Sequence, residues 1–161
     1  MMKDGLSASA KRVQKALDEF NLPLEVIELP GSTRTAADAA QSIGCGIGQI
    51  VKSLVFKGKR SEKPVLVVAS GINRVSETKV EGLLDEPLGK ADADFVREHT
   101  GFVIGGVPPI GHPEKLLTII DEDLFLYSEI WAAAGTPNAV FRLTPEDLLR
   151  MTVGKVHDIR Q

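Results

Sequence analysis

Gln49-Ile50-Val51-Lys52-Ser53-Leu54-Val55-Phe56-Lys57 and, after a charged turn, Pro64-Val65-Leu66-Val67-Val68-Ala69-Ser70 decide the fold class. Both runs are rich in Val, Leu, Ile or Phe, which suit a pleated and buried surface, so they read as paired strands over 50–57 and 64–70. Alternate side chains of a strand share a face, which sets Lys52 in one row with Ile50, Leu54 and Phe56. An ammonium in an apolar row is the most informative feature of the chain. Lysine is seldom buried without a partner, and desolvation favours its neutral form. Two readings are open: Lys52 serves chemistry, or its head group reaches the strand end or an acid.

On the N-terminal side, Ala10, Val13, Ala16, Leu17 and Phe20 recur at helical spacing, with Ser7 or Ser9 as N-cap and Pro23 beyond the end. Residues 24–29 read as a short strand. Thr35 then caps an alanine-rich helix (Ala36, Ala37, Ala39, Ala40) that Gly44 closes in a left-handed conformation. On the C-terminal side, helices are predicted near 76–84 and over 92–99, the second terminated by Gly101. Further strands are predicted at 102–104, 116–120, 130–133 and 139–143, with a last one over 153–159. Thr144-Pro145-Glu146-Asp147 is a helix start with an N-cap, a first-turn proline and acids at the positive end. Strand clusters separated by helices, without regular βαβ alternation, predict an α/β (α+β) fold. The expected architecture is a mixed, mainly antiparallel sheet or partly closed barrel with flanking helices.

A chain of 161 residues, 43% hydrophobic and 25% charged, fits one globular domain able to bury its own core. Cys45 is the one cysteine, which excludes an intrachain disulfide, disfavours structural zinc and fits a reducing compartment. The start, MMKDGLSASAKR, has no apolar signal region and no run reaches membrane-spanning length, so a cytoplasmic protein is expected. A net charge of −3 argues against a sequence-independent nucleic-acid binder. Charge is uneven, however: Lys52, Lys57, Lys59, Arg60 and Lys63 stand against the acid Glu62. This cluster reads as a solvated hairpin tip or as a grip on one end of a nucleic acid.

Two loops complement the lysine. In Gly105-Gly106-Val107-Pro108-Pro109-Ile110-Gly111 the glycines let backbone approach a ligand, and the prolines stiffen the segment. The N–H donors expected there are those of Gly105, Gly106, Val107, Ile110 and Gly111, suited to an oxyanion or carbonyl site, unless the loop is only a rigid turn. Ala133-Ala134-Gly135-Thr136-Pro137-Asn138 offers small residues for a narrow pocket, or a plain β-turn. Gly44-Cys45-Gly46-Ile47-Gly48 lacks the Lys-Ser/Thr of a phosphate loop and precedes a strand, and Cys45 reads as a small core residue. His99, His112 and His157 are isolated, with His112 placed to assist a proton transfer or to brace the glycine–proline loop. Neither a GxSxG elbow nor an HExxH pair is present.

Taken in order, Thr35-Ala36-Ala37-Asp38-Ala39-Ala40, the Gln49–Phe56 strand, Thr100-Gly101 with the 105–111 loop, and Ala134-Gly135-Thr136-Pro137 resemble the prolyl-tRNA editing-domain family, or YbaK family. Its members are freestanding deacylases and the insertion domain of bacterial prolyl-tRNA synthetase. The resemblance covers nearly the whole chain and implies that 1–161 is one editing domain, without cofactor or metal. It implies hydrolysis of the ester joining a small wrong amino acid to the 3′ ribose of tRNA(Pro), with tRNA and a prolyl-tRNA synthetase as partners. By position Lys52 matches the family's essential lysine, and Gly105 and Gly106 join it as catalytic residues. Thr35, Val107, Pro108, Pro109 and Gly111, with Ala133, Ala134, Gly135 and Thr136, become the substrate-binding set. Thr136-Pro137-Asn138 departs from the lysine- and arginine-containing form of the cysteine-specific branch, which points away from cysteine.

The chemistry is coherent with such a set. An aminoacyl ester is already activated, so positioning and charge stabilisation matter more than a strong nucleophile. Lys52 would hold the ribose or phosphate end as ammonium, or act as base if neutral; the ammonium role is favoured. The vicinal ribose hydroxyl would relay protons. Two competing functions are a non-catalytic tRNA- or synthetase-binding module and a DNA-binding protein. The second is disfavoured because no helix concentrates Arg or Lys on one face.

Overall fold

The computed structural model describes residues 5–31 and 35–161; the opening residues Met1 to Asp4, part of the signal-peptide reading, lie outside them. The chain runs α1 (Ala8–Glu19), β1 (Val26–Glu28), α2 (Ala36–Ile43), β2 (Ile50–Gly58), β3 (Pro64–Ser70), α3 (Glu77–Leu84) and β4 (Leu88–Lys90). It continues through α4 (Ala93–Thr100), β5 (Leu117–Asp121), β6 (Ile130–Ala133), β7 (Ala139–Leu143), α5 (Pro145–Thr152) and β8 (Lys155–His157). Single 3-10 turns, Ile47–Gln49 and Glu122–Leu126, lead into β2 and out of β5. The helix starts are local chemistry. Ser7, Thr35, Ser76, Asp92 and Thr144 each accept a hydrogen bond from a backbone amide of the first turn.

One eight-stranded sheet carries the fold, in the order β1-β7-β6-β2-β3-β5-β8 with β4 alongside β2. It is mixed, as expected: β2 is antiparallel to β3 and β4 but parallel to β6, and β3–β5 and β5–β8 are parallel. The sheet is open rather than closed into a barrel. No helix among the described residues is long and apolar enough to cross a membrane.

The two faces of β2 are covered differently. Val51 joins the main core with Leu66, Val68, Ile120 and Phe141, closed over by Val13 and Leu17 of α1 and Leu148 of α5. On the other face Ile50 packs with Ala39 and Ala40 of α2, and Phe56 packs with Val65, Val67 and Val80 of α3. Lys52 and Leu54 lie between these two clusters and belong to neither. The edge of β2 is interrupted at the same place. It meets β6 only at Ile50 and Val51, and β4 only from Phe56 to Gly58, so 52–55 have no strand partner on that side.

Two expectations need correction, and one strand was missed. Residues 102–104 are not a strand. Gly101 (φ +78) and Gly105 (φ +96) turn the chain at both ends, and the Gly106 amide folds back onto the Val103 carbonyl at 3.0 Å, which leaves no length for a ladder. The short β4 was not foreseen, because Leu88-Gly89-Lys90 is too brief for a periodic signal and pairs only through β2. The final strand is confined to Lys155–His157.

Candidate active site

Where β2 loses its edge partner, a cleft of ≈ 500 Å³ opens, lined by Lys52, Ser53 and Leu54, by Thr35 and Ala36, and by Ile104, Gly105, Val107 and Ala133. The strand, the start of α2, the glycine–proline loop and the end of β6 therefore meet at one place. Lys52 and Gly105 share it despite their separation in sequence. Thr35 stands there because its hydroxyl caps α2, accepting from the Asp38 amide at 3.0 Å.

The rest of the predicted set divides. Gly106 sits behind the cleft with its carbonyl bonded to the Gly135 amide at 2.9 Å and its own N–H spent on Val103. Its amide is thus not the available donor that the sequence suggested. No hydrogen bond among the described residues engages the Gly105 or Val107 amides. Pro109, Ile110 and Gly111 face a different, smaller cavity of ≈ 200 Å³ with His112 and Thr152. Pro108 is buried, and its carbonyl lies 2.8 Å from His112 Nε2, so His112 braces the loop from behind. Burial pushes the His112 imidazole below its ordinary pKa, and the Pro108 carbonyl opposes that shift.

Of the 133–138 segment, only Ala133, the last residue of β6, lines the cleft. Ala134 is fully buried, and Gly135 (φ +97) packs against the Ser9 carbonyl. The Thr136 hydroxyl donates to Asn138 Oδ1 at 2.9 Å, while the Asn138 amide side chain donates to the Leu29 carbonyl at 3.1 Å. These polar groups hold a turn together rather than presenting themselves to a ligand. His99 pairs with Glu114 at 2.7 Å, and Cys45 packs beside the α2 cluster. The 59–63 turn is exposed and tied down by Glu86, which accepts from the Arg60 and Ser61 amides at 3.0 Å each.

Lys52 is half-buried, and its ammonium donates to the main-chain carbonyl of Asn73. Burial lowers its pKa from the ordinary lysine value; the nearby Asp121 carboxylate raises it, and Arg74 lowers it further. Asp121 is only 1% exposed and accepts from the Ser70 amide (3.0 Å), the Asn73 side chain (2.8 Å) and the Asp123 amide (2.9 Å). Asp123 accepts from Asn73 Nδ2 and from Arg160 Nη1, both at 2.8 Å. The sequence reading missed Asn73, Asp121, Asp123 and Arg160. One signal was present: Asp121-Glu122-Asp123 follows directly on an apolar strand, which places a carboxylate at its buried end.

Residues 31–151 match the aminoacyl-tRNA editing domain. A solved structure described as a "putative trans-editing enzyme for prolyl tRNA synthetase" superposes with a TM-score of 0.92 at 51% identity, over 98% of this chain and 99% of that one. The "Putative Cys-tRNA(Pro)/Cys-tRNA(Cys) deacylase EbsC" of Enterococcus faecalis is 29% identical over 148 residues, covering 90% of each chain. The proline–tRNA ligase of Limosilactobacillus fermentum is 36% identical over 127 residues, 71% of this chain but 22% of the ligase.

Proposed function

The chain belongs to the aminoacyl-tRNA editing domain family, and on that premise we propose that it hydrolyses mischarged tRNA in trans, most of all tRNA(Pro) bearing a small wrong amino acid. The observation that carries this reading is the meeting of Lys52 with the unengaged amides of Gly105 and Val107 on one cleft. In the proposed reaction a water adds to the ester carbonyl and the bond from the acyl carbon to the 3′ ribose oxygen breaks. The products are the free amino acid and tRNA with its terminal hydroxyl restored. Charge that develops on the carbonyl oxygen is met by the Gly105 and Val107 N–H groups, which need no reorganisation on a proline-stiffened loop. Lys52, kept as an ammonium, fixes the ribose end. The vicinal ribose hydroxyl carries the proton to the leaving oxygen, so the protein itself needs no triad.

The substrate assignment rests on the likeness to a trans-editing protein for prolyl-tRNA synthetase and to a ligase that contains such a domain. Ala36, Gly105 and Ala133, which carry no side chain larger than a methyl group, line the cleft, and this suits a small amino-acid side chain. Pocket shape discriminates one methylene by only about 1–3 kcal/mol, so a panel is the decisive experiment. Purified protein is offered tRNA(Pro) carrying alanine, cysteine, serine, 2-aminobutyrate or proline, beside the same amino acids on other tRNAs. Fast release of a small non-cognate amino acid from tRNA(Pro), with prolyl-tRNA(Pro) spared, is expected. Equal inertness towards every member would refute the reading.

A further inference from the structure

We infer that Asn73 is a positioning residue for Lys52, itself set by a relay through Asp121 and Asp123 that starts at Arg160. The inference rests on the proposed role of Lys52 only for its effect on catalysis; the positioning itself is a property of the free protein.

The argument starts from what an amide side chain can do. Asn73 Nδ2 carries two hydrogens, and both are used, one on Asp121 Oδ2 and one on Asp123 Oδ2, at 2.8 Å each. Two carboxylates this near one another repel unless a donor stands between them and a cation balances one. Asn73 is that donor, and Arg160 pairs with Asp123 at 2.8 Å. The backbone of the same residue is pinned too. Its amide donates to the Ser70 carbonyl at 3.0 Å, and the Ser70 hydroxyl donates to the Gly48 carbonyl at 2.7 Å. Gly71 in this turn is held so closely that an added Cβ would lie 2.4 Å from the Ile47 carbonyl oxygen. With side chain and main chain both fixed, the Asn73 carbonyl has one direction left, and it receives the Lys52 ammonium.

This arrangement has a chemical consequence. An ammonium has three donors, and a carbonyl takes one of them without neutralising the charge. Asp121 supplies negative potential nearby, but the neutral donors of Ser70, Asn73 and Asp123 occupy its oxygens. Lys52 is therefore steered without being consumed in an ion pair, and its remaining donors and its charge are left for a ligand in the cleft.

The test uses the full chain with lysine labelled at Cε, and reads the Lys52 ε-methylene protons by NMR in the free protein. Their assignment comes from Lys52→Met. A fixed ammonium gives two separate ε-proton shifts; a released one averages them. Wild type is expected to show separation, Asn73→Ala to lose it, and Arg160→Gln to narrow it. Arg160→Lys should restore much of it, because a cation again balances Asp123. Single-turnover deacylation of alanyl-tRNA(Pro) should fall by about tenfold to 10²-fold in Asn73→Ala with half-saturation little changed, as expected for a misplaced group. Unchanged Lys52 resonances in a folded Asn73→Ala protein, or in Arg160→Gln, overturn the inference. Arg160 is half-exposed and its replacement spares the core, so that variant decides if Asn73→Ala does not fold. Wild-type protein that deacylates nothing would count against the proposed function alone, since the NMR comparison needs no substrate.

Discussion

The Gly135 amide donates to the Gly106 carbonyl at 2.9 Å, which welds the glycine–proline loop to the turn after β6. The two backbones approach so closely that a Cβ on Gly106 would lie 2.9 Å from both Gly135 C and Thr136 N. Neither neighbour is the end of a flexible side chain, so Gly106→Ala must push the segments apart. Overpacking of this kind costs about 1–3 kcal/mol, and the loop should move off the cleft. Gly105→Ala differs, since nothing lies within 4 Å of its Cβ but φ is +96. It should cost stability through backbone strain, about 1–3 kcal/mol, while keeping the cleft open. Urea unfolding of both variants, with single-turnover deacylation, separates the cases; equal activity in the two would contradict the weld.

Lys52→Ala should remove most deacylation and leave the fold intact. A positioned charge at a reacting centre is worth about 2.7–4 kcal/mol, on the order of 10²–10³ in rate. The ammonium is half-buried and bonded to the Asn73 carbonyl, so its loss trades a desolvation cost against one hydrogen bond. Stability should therefore change little. Lys52→Arg should not rescue the rate, because a planar guanidinium has different size and donor directions. Turnover near wild type in Lys52→Ala would take this lysine out of the mechanism.

His112 predicts a pH dependence of stability. Burial holds its folded pKa below the ordinary imidazole value, so around and below pH 6.5 the unfolded chain binds the proton more readily. Stability contributed here is present above the unfolded pKa. It declines as pH falls from there towards the lower folded pKa. His112→Gln lacks the titration and should show a shallower loss between pH 7 and 5 in denaturant titrations. Parallel curves for the two proteins would show that His112 does not carry the slope.

Affinity for uncharged tRNA should be weak and should fall with salt. A chain of net charge −3 offers few phosphate contacts, since most basic residues near β2 lie in the exposed 59–63 turn beside Glu62 and Glu86. The log–log salt slope should be shallow, roughly −0.7 to −0.9 per contact. Filter binding across salt concentrations measures it, and tight binding that persists at high salt would be inconsistent.

The local signals in the sequence were strong enough to determine the elements around the cleft. The β2 and β3 runs, the Thr35 and Thr144 caps and the Gly44 and Gly101 stops each act through neighbours within a few residues, so they were legible without the fold. Lys52 was visible for the same reason: strand alternation alone puts it among Ile50, Leu54 and Phe56. Tertiary structure alone decided what faces it. The gap in the β2 edge depends on where β6 ends and β4 begins, and neither is written near residue 52. The same holds for the division of the 105–111 loop, whose Gly106 amide is spent on Val103 while its far half turns to His112. The Asn73–Asp121–Asp123–Arg160 network is built from single hydrogen bonds between residues as many as 50 positions apart, so no window of sequence contains it. Periodicity reports which side of an element is apolar; which polar groups meet across a core is set only when distant segments pack.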